Sequence, residues 1–299
     1  MIEPKIGLVT VLYNGIEVLE GFFESLSRQT YKNFILYVID NSPNEVALDE
    51  AKQLASKFNV PSEFIYNNAN LGVAKGNNQG IELSLENNCE FILLLNNDIE
   101  FDKNTIRDMI EYAEKNSESI IVPKIYYHGT NKLWMAGGHI SKLKATSPHR
   151  GDKEEDIGQY DKIEYVGYAP TCFMLIHKEV FKTVGIMDEK YFVYYDDTDF
   201  VWRANKLGYK IVYFPKSTIG HKVSFSTGGG ESNFSIYYLN RNRIFFIRKN
   251  FYFFYNLTSL LFLFSTSLVR YFIYDKEQKK IILSAIKDGL FTKCFFSEN

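Results

Sequence analysis

An apolar run at residues 92–95 ends abruptly in Asn96, Asn97 and Asp98. The run is typical of a buried parallel strand, and α/β proteins bind ligands at the carboxyl edge of such strands. A carboxylate at that edge can bind a hard divalent cation such as Mg²⁺ or Mn²⁺, which also takes phosphate oxygens of a substrate as ligands. The alternative is a strand that closes in an Asx turn without any ligand.

A second acidic group, formed by Asp196, Asp197 and Asp199, lies in a segment rich in Tyr, Phe and Trp. Aromatic walls suit sugar rings, and partial burial raises the pKa of a carboxylate toward that of a useful general base. We expect Asp199 to cap a helix that begins at Phe200 and to pair with Arg203. Asp197, and after it Asp196, then remains free to act as the base. A solvated acidic turn is the alternative.

Polar residues also end other apparent strands. Thr10 and Asn14 close the first strand, where Asn14 could instead simply cap the following helix. Asp40 ends the second strand and could accept a hydrogen bond from a pyrimidine base or a ribose hydroxyl, or form an Asx turn. His221 follows a late strand, and a lone histidine there is either structural or a metal ligand.

Gly72, Gly76 and Gly80 recur every four residues after Asn70, which is placed to cap the helix that follows. A glycine inside a helix costs about 1 kcal/mol relative to alanine. Three glycines on one helical face therefore indicate close approach of a ligand or of another element, with tight helix–sheet packing as the alternative. The spacing is not the Gly-x-Gly-x-x-Gly fingerprint of dinucleotide-binding proteins.

The elements that must position these residues alternate along the first 125 residues. Strands are predicted at 6–12, 34–39, 63–66 and 91–95, and helices at 16–29, 45–58, 71–87 and 103–115. Repeated βα units imply an α/β fold with a mostly parallel sheet and flanking helices. A tract without periodicity covers about residues 126–161, and such a tract is usually functional or mobile. Beyond it, strands are predicted at 164–168, 171–177 and 210–214, and helices at 178–184 and 200–207.

Together these segments resemble the inverting glycosyltransferases of family 2, which have the GT-A fold. The resemblance runs over residues 6–227. Residues 70–80 resemble the family's glycine-rich nucleotide-sugar segment, and residues 96–98 stand in the place of its Asp-x-Asp motif, with asparagine at the first position. Residues 134–138, Trp-Met-Ala-Gly-Gly, resemble an acceptor-side segment of rhamnosyltransferase-like members. Residues 196–199 resemble their Glu-Asp-x-Asp catalytic segment, with Asp for Glu.

The resemblance implies a role for each matching residue. Asp98 and His221 would hold Mn²⁺ or Mg²⁺, and Asp197, with Asp196 beside it, would be catalytic. Nucleotide-sugar binding is implied for Thr10, Asn14, Asp40, Asn70, Gly72, Lys75 and Asn97, and acceptor binding for Trp134, Gly137, Gly138 and Asp199. The implied reaction is a single displacement with inversion, in which an acceptor hydroxyl attacks the anomeric carbon of a dTDP- or UDP-linked sugar.

Composition excludes some other classes of function. The 299-residue chain has a net charge of −2, so no basic field draws it to nucleic acid. Three scattered cysteines favour a reduced, cytosolic compartment. A nucleotidyltransferase would need a glycine-rich basic loop after the first strand, which residues 13–17 do not provide. A non-catalytic glycan- or membrane-binding protein with the same fold is disfavoured by the presence of Asp98, Asp197 and His221.

Residues 231–299 form a predicted C-terminal helical segment after a glycosyltransferase domain at 1–230. No charged residue occurs at 251–269. Polar residues at helical spacing (Asn256, Ser259, Thr266, Ser267, Arg270) oppose an apolar set (Phe254, Leu257, Leu261, Phe264, Leu268, Phe272). This pattern predicts an amphipathic helix in the interface of the inner face of the cell membrane, with the basic–aromatic run at 241–251 facing anionic headgroups. Helical core or homodimer contact, and a membrane span, are the alternatives. A membrane-associated tail implies a lipid-linked or other glycan acceptor for a surface polysaccharide.

Overall fold

The computed structural model describes residues 3–223 and 232–293. Its strands are β1 (Ile6–Leu12), β2 (Phe34–Asp40), β3 (Ser62–Tyr66), β4 (Phe91–Leu95), β5 (Ile99–Phe101), β6 (Ile120–Tyr127), β7 (Leu133–Met135), β8 (Glu164–Val166), β9 (Phe173–His177) and β10 (Ile211–His221). Its α-helices are α1 (Leu19–Ser27), α2 (Val46–Phe58), α3 (Val73–Glu86), α4 (Thr105–Asn116), α5 (Lys178–Val184), α6 (Asp196–Lys206), α7 (Asn233–Asn250), α8 (Phe253–Ile273) and α9 (Lys276–Phe291). The predicted domain boundary at 230/231 lies outside the described residues.

The strands form one sheet in the order β3-β2-β1-β4-β9-β6-β10-β5, with β7 beside β6 and β8 beside β10. The sheet is parallel from β3 to β4, whereas β9 runs antiparallel to both of its neighbours. Because β10 pairs in parallel with β6, strands β4 and β10 run in the same direction. The α/β prediction is therefore confirmed, with a mixed second half of the sheet. Equal strand direction brings the chain after β4 and the end of β10 to one edge.

Burial on both faces explains why β4 is an unbroken apolar run, since all five of its residues lie in the core. Helix α3 covers the neighbouring strand β1. A Cβ added to Gly80 would lie 2.2 Å from Val9 Cγ1, and one added to Gly76 would lie 2.7 Å from Val11 Cγ2. The glycine spacing thus serves helix–sheet packing, the alternative named above, because no side chain fits between α3 and β1 at these positions.

Helix α7 packs into the same body as the sheet. Its residues Ile244, Phe245, Phe246 and Ile247 are fully buried in a cluster that includes Tyr191. The prediction that this run faces a membrane is wrong, because its aromatic side chains fill the protein interior. Among its cations, Arg248 donates hydrogen bonds to backbone carbonyls at the end of α9 and beyond it.

Helix α8 is placed with its polar side inward. Ser259, Leu263 and Ser267 are its buried residues. Large apolar side chains on the outer side are exposed, among them Phe254 at 65%, Leu261 at 58% and Phe272 at 76%. Within the described ranges α8 is the one helix that is long and apolar enough to cross a membrane, judged by length and composition.

Candidate active site

A cavity of about 690 Å³ opens at the carboxyl ends of β1 and β4. Six residues predicted to belong to the site line it: Asn97, Asp98, Trp134, Asp196, Asp197 and His221. Several residues that the sequence did not single out line it as well: Asn77, Ser147, His149, Tyr168, Cys172 and Tyr194. The fold thus brings the predicted metal ligands and the predicted base, which belong to three separate segments of the chain, into one cavity.

Asp98 and His221 meet because β5 and β10 are paired. Ile99 lies opposite His221 in that register, and the Lys222 N–H donates to the Asp98 carbonyl at 2.8 Å. His221 Nε2 consequently lies 3.1 Å from Asp98 Oδ1. The geometry nonetheless leaves that buried oxygen without a hydrogen bond from any described residue. Its unused lone pairs fit a cation ligand.

The donor set at this edge is small. No group of three or more His, Cys, Asp or Glu side chains suited to a metal occurs within residues 3–223 and 232–293. A carboxylate and an imidazole alone match a divalent cation that completes its coordination with water and substrate phosphates. The residues therefore fit an open cation site that depends on a bound diphosphate.

Asp197 is held by hydrogen bonds on both carboxylate oxygens. The Tyr168 hydroxyl donates to Oδ2 at 2.7 Å, and the Thr198 backbone N–H donates to Oδ1 at 2.5 Å. Helix α6 begins at Asp196, so Asp197 also lies in a first turn, where free N–H groups and the helix dipole favour negative charge. These contacts fix the carboxylate in one orientation.

Burial shifts the pKa of both neighbouring acids upward. For Asp196, burial and the adjacent Asp197 charge raise the pKa to about 8. Burial also raises the pKa of Asp197, but the hydrogen bonds from Tyr168 and Thr198 act against it and favour the ionised form. The protonated form is therefore favoured more strongly at Asp196, and the ionised form more strongly at Asp197.

Asp199 does not occupy its predicted place. The helix begins four residues earlier than predicted, at Asp196 and not at Phe200, so Asp199 lies inside the first turn, fully buried and outside the cavity lining. It accepts hydrogen bonds from Arg203 at 2.8 Å, Lys249 at 2.9 Å and Asn250 at 2.8 Å. Burial opposes ionisation, but the charges of Arg203 and Lys249 lower the pKa of Asp199. The predicted pair with Arg203 is present. Asp199 does not cap the helix, whose N-cap residue is Tyr195. It does not face the acceptor side of the cavity either, because its carboxylate is enclosed by these hydrogen-bond donors.

The loop before Asp196 has an unusual backbone. Phe192, Tyr194 and Tyr195 have φ values of 67°, 60° and 64°, a region that side chains other than glycine rarely adopt. Asn242 of α7 is fully buried and donates through Nδ2 to the carbonyls of Tyr191 at 2.8 Å, Val193 at 2.7 Å and Tyr194 at 3.0 Å. One amide of the C-terminal helices thus holds the strained loop that delivers the acid pair.

The predicted nucleotide-binding residues lie beside the cavity, except Asn97, which lines it and donates to the Val11 carbonyl at 3.0 Å. Asp40 is fully buried, and Oδ1 accepts the Ser42 N–H at 2.9 Å in the Asx turn named above. Its Oδ2 and the buried Thr10 hydroxyl have no hydrogen-bond partner in the part of the chain that the structure describes. The Asx turn thus occupies only half of the Asp40 carboxylate.

Other nucleotide-side predictions have structural roles here. Asn14 does not cap the next helix, and its N–H donates to Ser42 Oγ at 2.8 Å. Asn70 Oδ1 accepts the Gly72 N–H at 3.1 Å and does not cap α3, because α3 begins only at Val73. Gly72 has a φ of +83° and packs against Phe192. Lys75 Nζ lies 3.8 Å from Glu189 Oε2 in an exposed ion pair.

On the predicted acceptor side, Trp134 packs edge-on against His221 and His149, with ring centroids 4.5 Å and 4.4 Å apart. Gly137 and Gly138 do not line the cavity, and their contact with an acceptor stays a prediction. The Gly138 carbonyl accepts the backbone N–H of Tyr168 at 3.0 Å. A Cβ on Gly138 would lie 2.6 Å from the Pro148 carbonyl oxygen, so the close approach of two backbones explains the glycine. The pair holds the segment that carries Tyr168.

Sequence reasoning missed Tyr168 and His149. The two rings stack with centroids 6.1 Å apart, and burial lowers the pKa of His149. His149 belongs to the tract without periodicity, whose length alone indicated that it is functional or mobile. Nothing in the sequence connects Tyr168 with Asp197, because their contact depends on packing of α6 against the chain after β8.

The architecture is that of the GT-A glycosyltransferases. A crystal structure of GalNAc-T7 with UDP, GalNAc and Mn²⁺ superimposes with a TM-score of 0.65 at 14% identity, over 83% of this chain and 48% of that chain. The chain thus spans about half of that enzyme's length. At this identity the likeness shows the fold.

The family follows from sequence comparison. The profile of Glycosyl transferase family 2 matches residues 8–185, more than half of the chain, and the protein belongs to this family. The low-salt glycan biosynthesis hexosyltransferase Agl10 of Haloferax volcanii is 26% identical over 80% of this chain and 74% of its own. The dTDP-rhamnosyl transferase RfbF of Shigella flexneri is 24% identical over 83% and 81%, respectively. The resemblance drawn from the motifs is confirmed: the protein is a glycosyltransferase.

Proposed function

We propose that the protein transfers a sugar, with inversion, from a UDP- or dTDP-linked donor to a hydroxyl of a glycan or lipid-linked acceptor in surface polysaccharide biosynthesis. The observation that carries the proposal is Asp197, an oriented carboxylate in the same cavity as Asp98 and His221. A general base must lie within reach of the proton that it removes, and Asp197 lines the space open to an acceptor.

In the proposed reaction Asp197 removes the proton from the acceptor hydroxyl. The hydroxyl oxygen forms a bond to the anomeric carbon while the bond from that carbon to the diphosphate oxygen breaks, and the electron pair leaves with the nucleoside diphosphate. Asp196 is the weaker candidate for the base, because its raised pKa of about 8 keeps it protonated at neutral pH. The attack is direct, so no covalent sugar–enzyme intermediate forms.

Asp98 and His221 are proposed to hold Mn²⁺ or Mg²⁺. When bound, such a cation neutralises charge on a departing diphosphate. The unpartnered Oδ1 of Asp98 supports this assignment, as does Mn²⁺ in the crystal structure of GalNAc-T7. Within the site, Asn97 braces the end of β4 against β1 and so holds the adjacent Asp98 in place.

On the donor side, the free oxygen of Asp40 is proposed to accept the N3–H of uracil or thymine, which both bases possess. That common edge leaves UDP- and dTDP-sugars as candidates. The names of the two relatives, a hexosyltransferase and a dTDP-rhamnosyl transferase, support a hexose or deoxyhexose. The location consistent with such donors is the cytoplasm, at the inner face of the cell membrane.

A thermal-shift panel with UDP, dTDP, GDP and CMP, each with and without Mn²⁺, tests the nucleotide and metal parts. Stabilisation by UDP or dTDP only in the presence of Mn²⁺ is expected. Stabilisation of equal size without metal would contradict the Asp98–His221 assignment. No stabilisation by any nucleotide would favour a non-catalytic binding protein that retains the fold.

A further inference from the structure

Helix α8 attaches to the protein through a narrow polar stripe. Ser259 is fully buried and its hydroxyl donates to the Lys142 carbonyl at 2.7 Å. Leu263 and Ser267 follow it at intervals of four residues and are buried as well. These three positions extend about 12 Å along the helix, since an α-helix rises about 1.5 Å per residue. The middle of α8 therefore lies along the protein surface.

The opposite side of α8 is an apolar surface that residues 3–223 and 232–293 leave uncovered. Its members have exposed fractions between 49% and 76%: Phe254, Leu257, Leu261, Leu268 and Phe272. We call these five residues the outer face of α8. A soluble helix normally turns such residues inward, and a contiguous exposed apolar patch marks a surface that binds another body.

Cations lie around α8. Aromatic rings on or beside the helix lie within 6 Å of the ammonium groups of Lys142, Lys144, Lys206 and Lys279. Arg270 is exposed near the end of the helix, on its polar side. None of the five forms an ion pair with a carboxylate within the described ranges, and α8 contains no acidic residue. Unneutralised cations beside an apolar face complement anionic headgroups above acyl chains. A second copy of the chain would bring the same cations together and repel.

We propose that the outer face of α8 lies in the plane of an anionic phospholipid bilayer, at the boundary of headgroups and acyl chains, with the flanking cations among the headgroups. This membrane partner is the one that the proposed transferase function implies, but binding of α8 to lipid does not depend on catalysis. Crossing the bilayer would require Ser259, Leu263 and Ser267 to leave their buried contacts with the rest of the protein. Binding in the plane of the membrane leaves these contacts, and the contacts between α7 and α8, intact.

Cosedimentation of the full-length protein with vesicles tests the apolar contact. Vesicles of phosphatidylcholine with phosphatidylglycerol are expected to bind the protein, and binding should fall roughly tenfold or more in Leu261→Gln/Leu268→Gln, which removes two apolar side chains from the contact. The matched control is Val46→Gln/Ile157→Gln, which changes two apolar residues at least as exposed as the two leucines and far from α8 in sequence, and which should bind like the wild type. Equal binding of the two double variants would overturn the proposal.

A second pair of variants tests the cations. Lys206→Gln/Arg270→Gln/Lys279→Gln should weaken binding by roughly fivefold per charge, and added salt should weaken the wild type. Lys115→Gln/Lys132→Gln/Lys162→Gln removes the same charge from exposed positions on other elements and should have little effect. Equal wild-type binding to pure phosphatidylcholine vesicles would overturn the role of the cations.

Two further outcomes would overturn the in-plane arrangement. A dimer seen by light scattering, abolished by the leucine variant and without vesicle binding, would make a second copy the occupant. Resistance of the membrane-bound protein to alkaline carbonate extraction would indicate a span. Nucleotide-dependent thermal stabilisation, measured on the same variants, should be unchanged, so that failure of the transferase proposal and failure of the membrane proposal give different results.

Discussion

The two acidic regions of the cavity are organised in opposite ways. Around Asp197, both carboxylate oxygens accept hydrogen bonds and the preceding loop is held by Asn242. Around Asp98, one buried carboxylate oxygen is left without a hydrogen bond from the described chain, with His221 Nε2 3.1 Å away. One region is completed by the protein itself, whereas the other has the donor set of a site completed by its ligand.

This difference matches the two tasks. A base must point in one direction before the acceptor arrives, and hydrogen bonds within the protein provide that orientation without a ligand. A cation site that binds together with a diphosphate has to leave coordination positions open for the phosphate oxygens. Asn242 of the C-terminal helices therefore supports the loop before the proposed base, and the described residues leave the proposed cation site open.

The largest effect is expected at the acid pair. Asp197→Asn should lower the transfer rate by roughly 100- to 10,000-fold, the usual contribution of a general base. Asp196→Asn should retain most activity at neutral pH, because an amide is close in shape to the protonated carboxyl that the raised pKa of Asp196 implies. Initial rates with saturating donor measure both. Similar losses in the two variants would contradict the assignment of the proton to Asp196.

A smaller loss is expected at the metal edge. His221→Gln should raise the Mn²⁺ concentration needed for half-maximal nucleotide stabilisation at least roughly tenfold. His149→Gln changes a histidine in the same cavity that also packs on Trp134, and it should leave that concentration unchanged. Thermal shift against Mn²⁺ concentration distinguishes them. An unchanged midpoint for His221→Gln would remove this residue from the cation site.

The link between the C-terminal helices and the base predicts a stability effect. Asn242→Ala leaves three carbonyls without their donor and should lower the free energy of unfolding by about 1–3 kcal/mol. The maximal rate should fall as well, since the strained loop before Asp196 loses its support. The control is Asn240→Ala, which changes a buried asparagine on α7 whose side-chain amide, among the described residues, donates to the Ile236 carbonyl of its own helix. Equal unfolding midpoints and equal rates for the two variants would show that Asn242 of α7 does not support the proposed base.

The smallest effect concerns the pH profile. The Tyr168 hydroxyl stabilises the ionised form of Asp197, so Tyr168→Phe should raise the pKa of that base. Since the base must be ionised, the acidic limb of kcat/KM should move to higher pH, and activity lost near neutral pH should return in alkali. Tyr165→Phe, which removes a hydroxyl bonded to Glu118, should leave the limb in place. A uniform loss at every pH would indicate a purely structural role for Tyr168.

Many elements could be predicted because their signals are local. The apolar run of β4 and the helix α5 occur at the predicted residues, 91–95 and 178–184. The same local pattern places Asp98 just after a core strand and His221 at the end of another. Repeated βα units then determine strand direction, and direction brings both residues to one edge.

The bounds and orientation of elements that depend on contacts with distant segments were predicted less well. Helix α6 begins at Asp196, earlier than residue preferences indicate. The reason is the preceding loop, in which Phe192, Tyr194 and Tyr195 have positive φ and turn the chain into the helix. The glycines of α3 gave no sign whether a ligand or β1 would approach them. In the same way, the basic–aromatic run of α7 resembles a membrane-facing surface until its partners Tyr191 and α9 are known.

The sequence alone determined the family, the βα order and the residue types available for proton transfer and cation binding, because those are properties of motifs and of local periodicity. The tertiary structure decided which of these residues meet. Packing of α6 placed Tyr168 on Asp197, and burial enclosed Asp199 in hydrogen bonds outside the cavity that Asp196 and Asp197 line. Each of these outcomes depends on contacts between segments distant in the chain, and no local pattern encodes them.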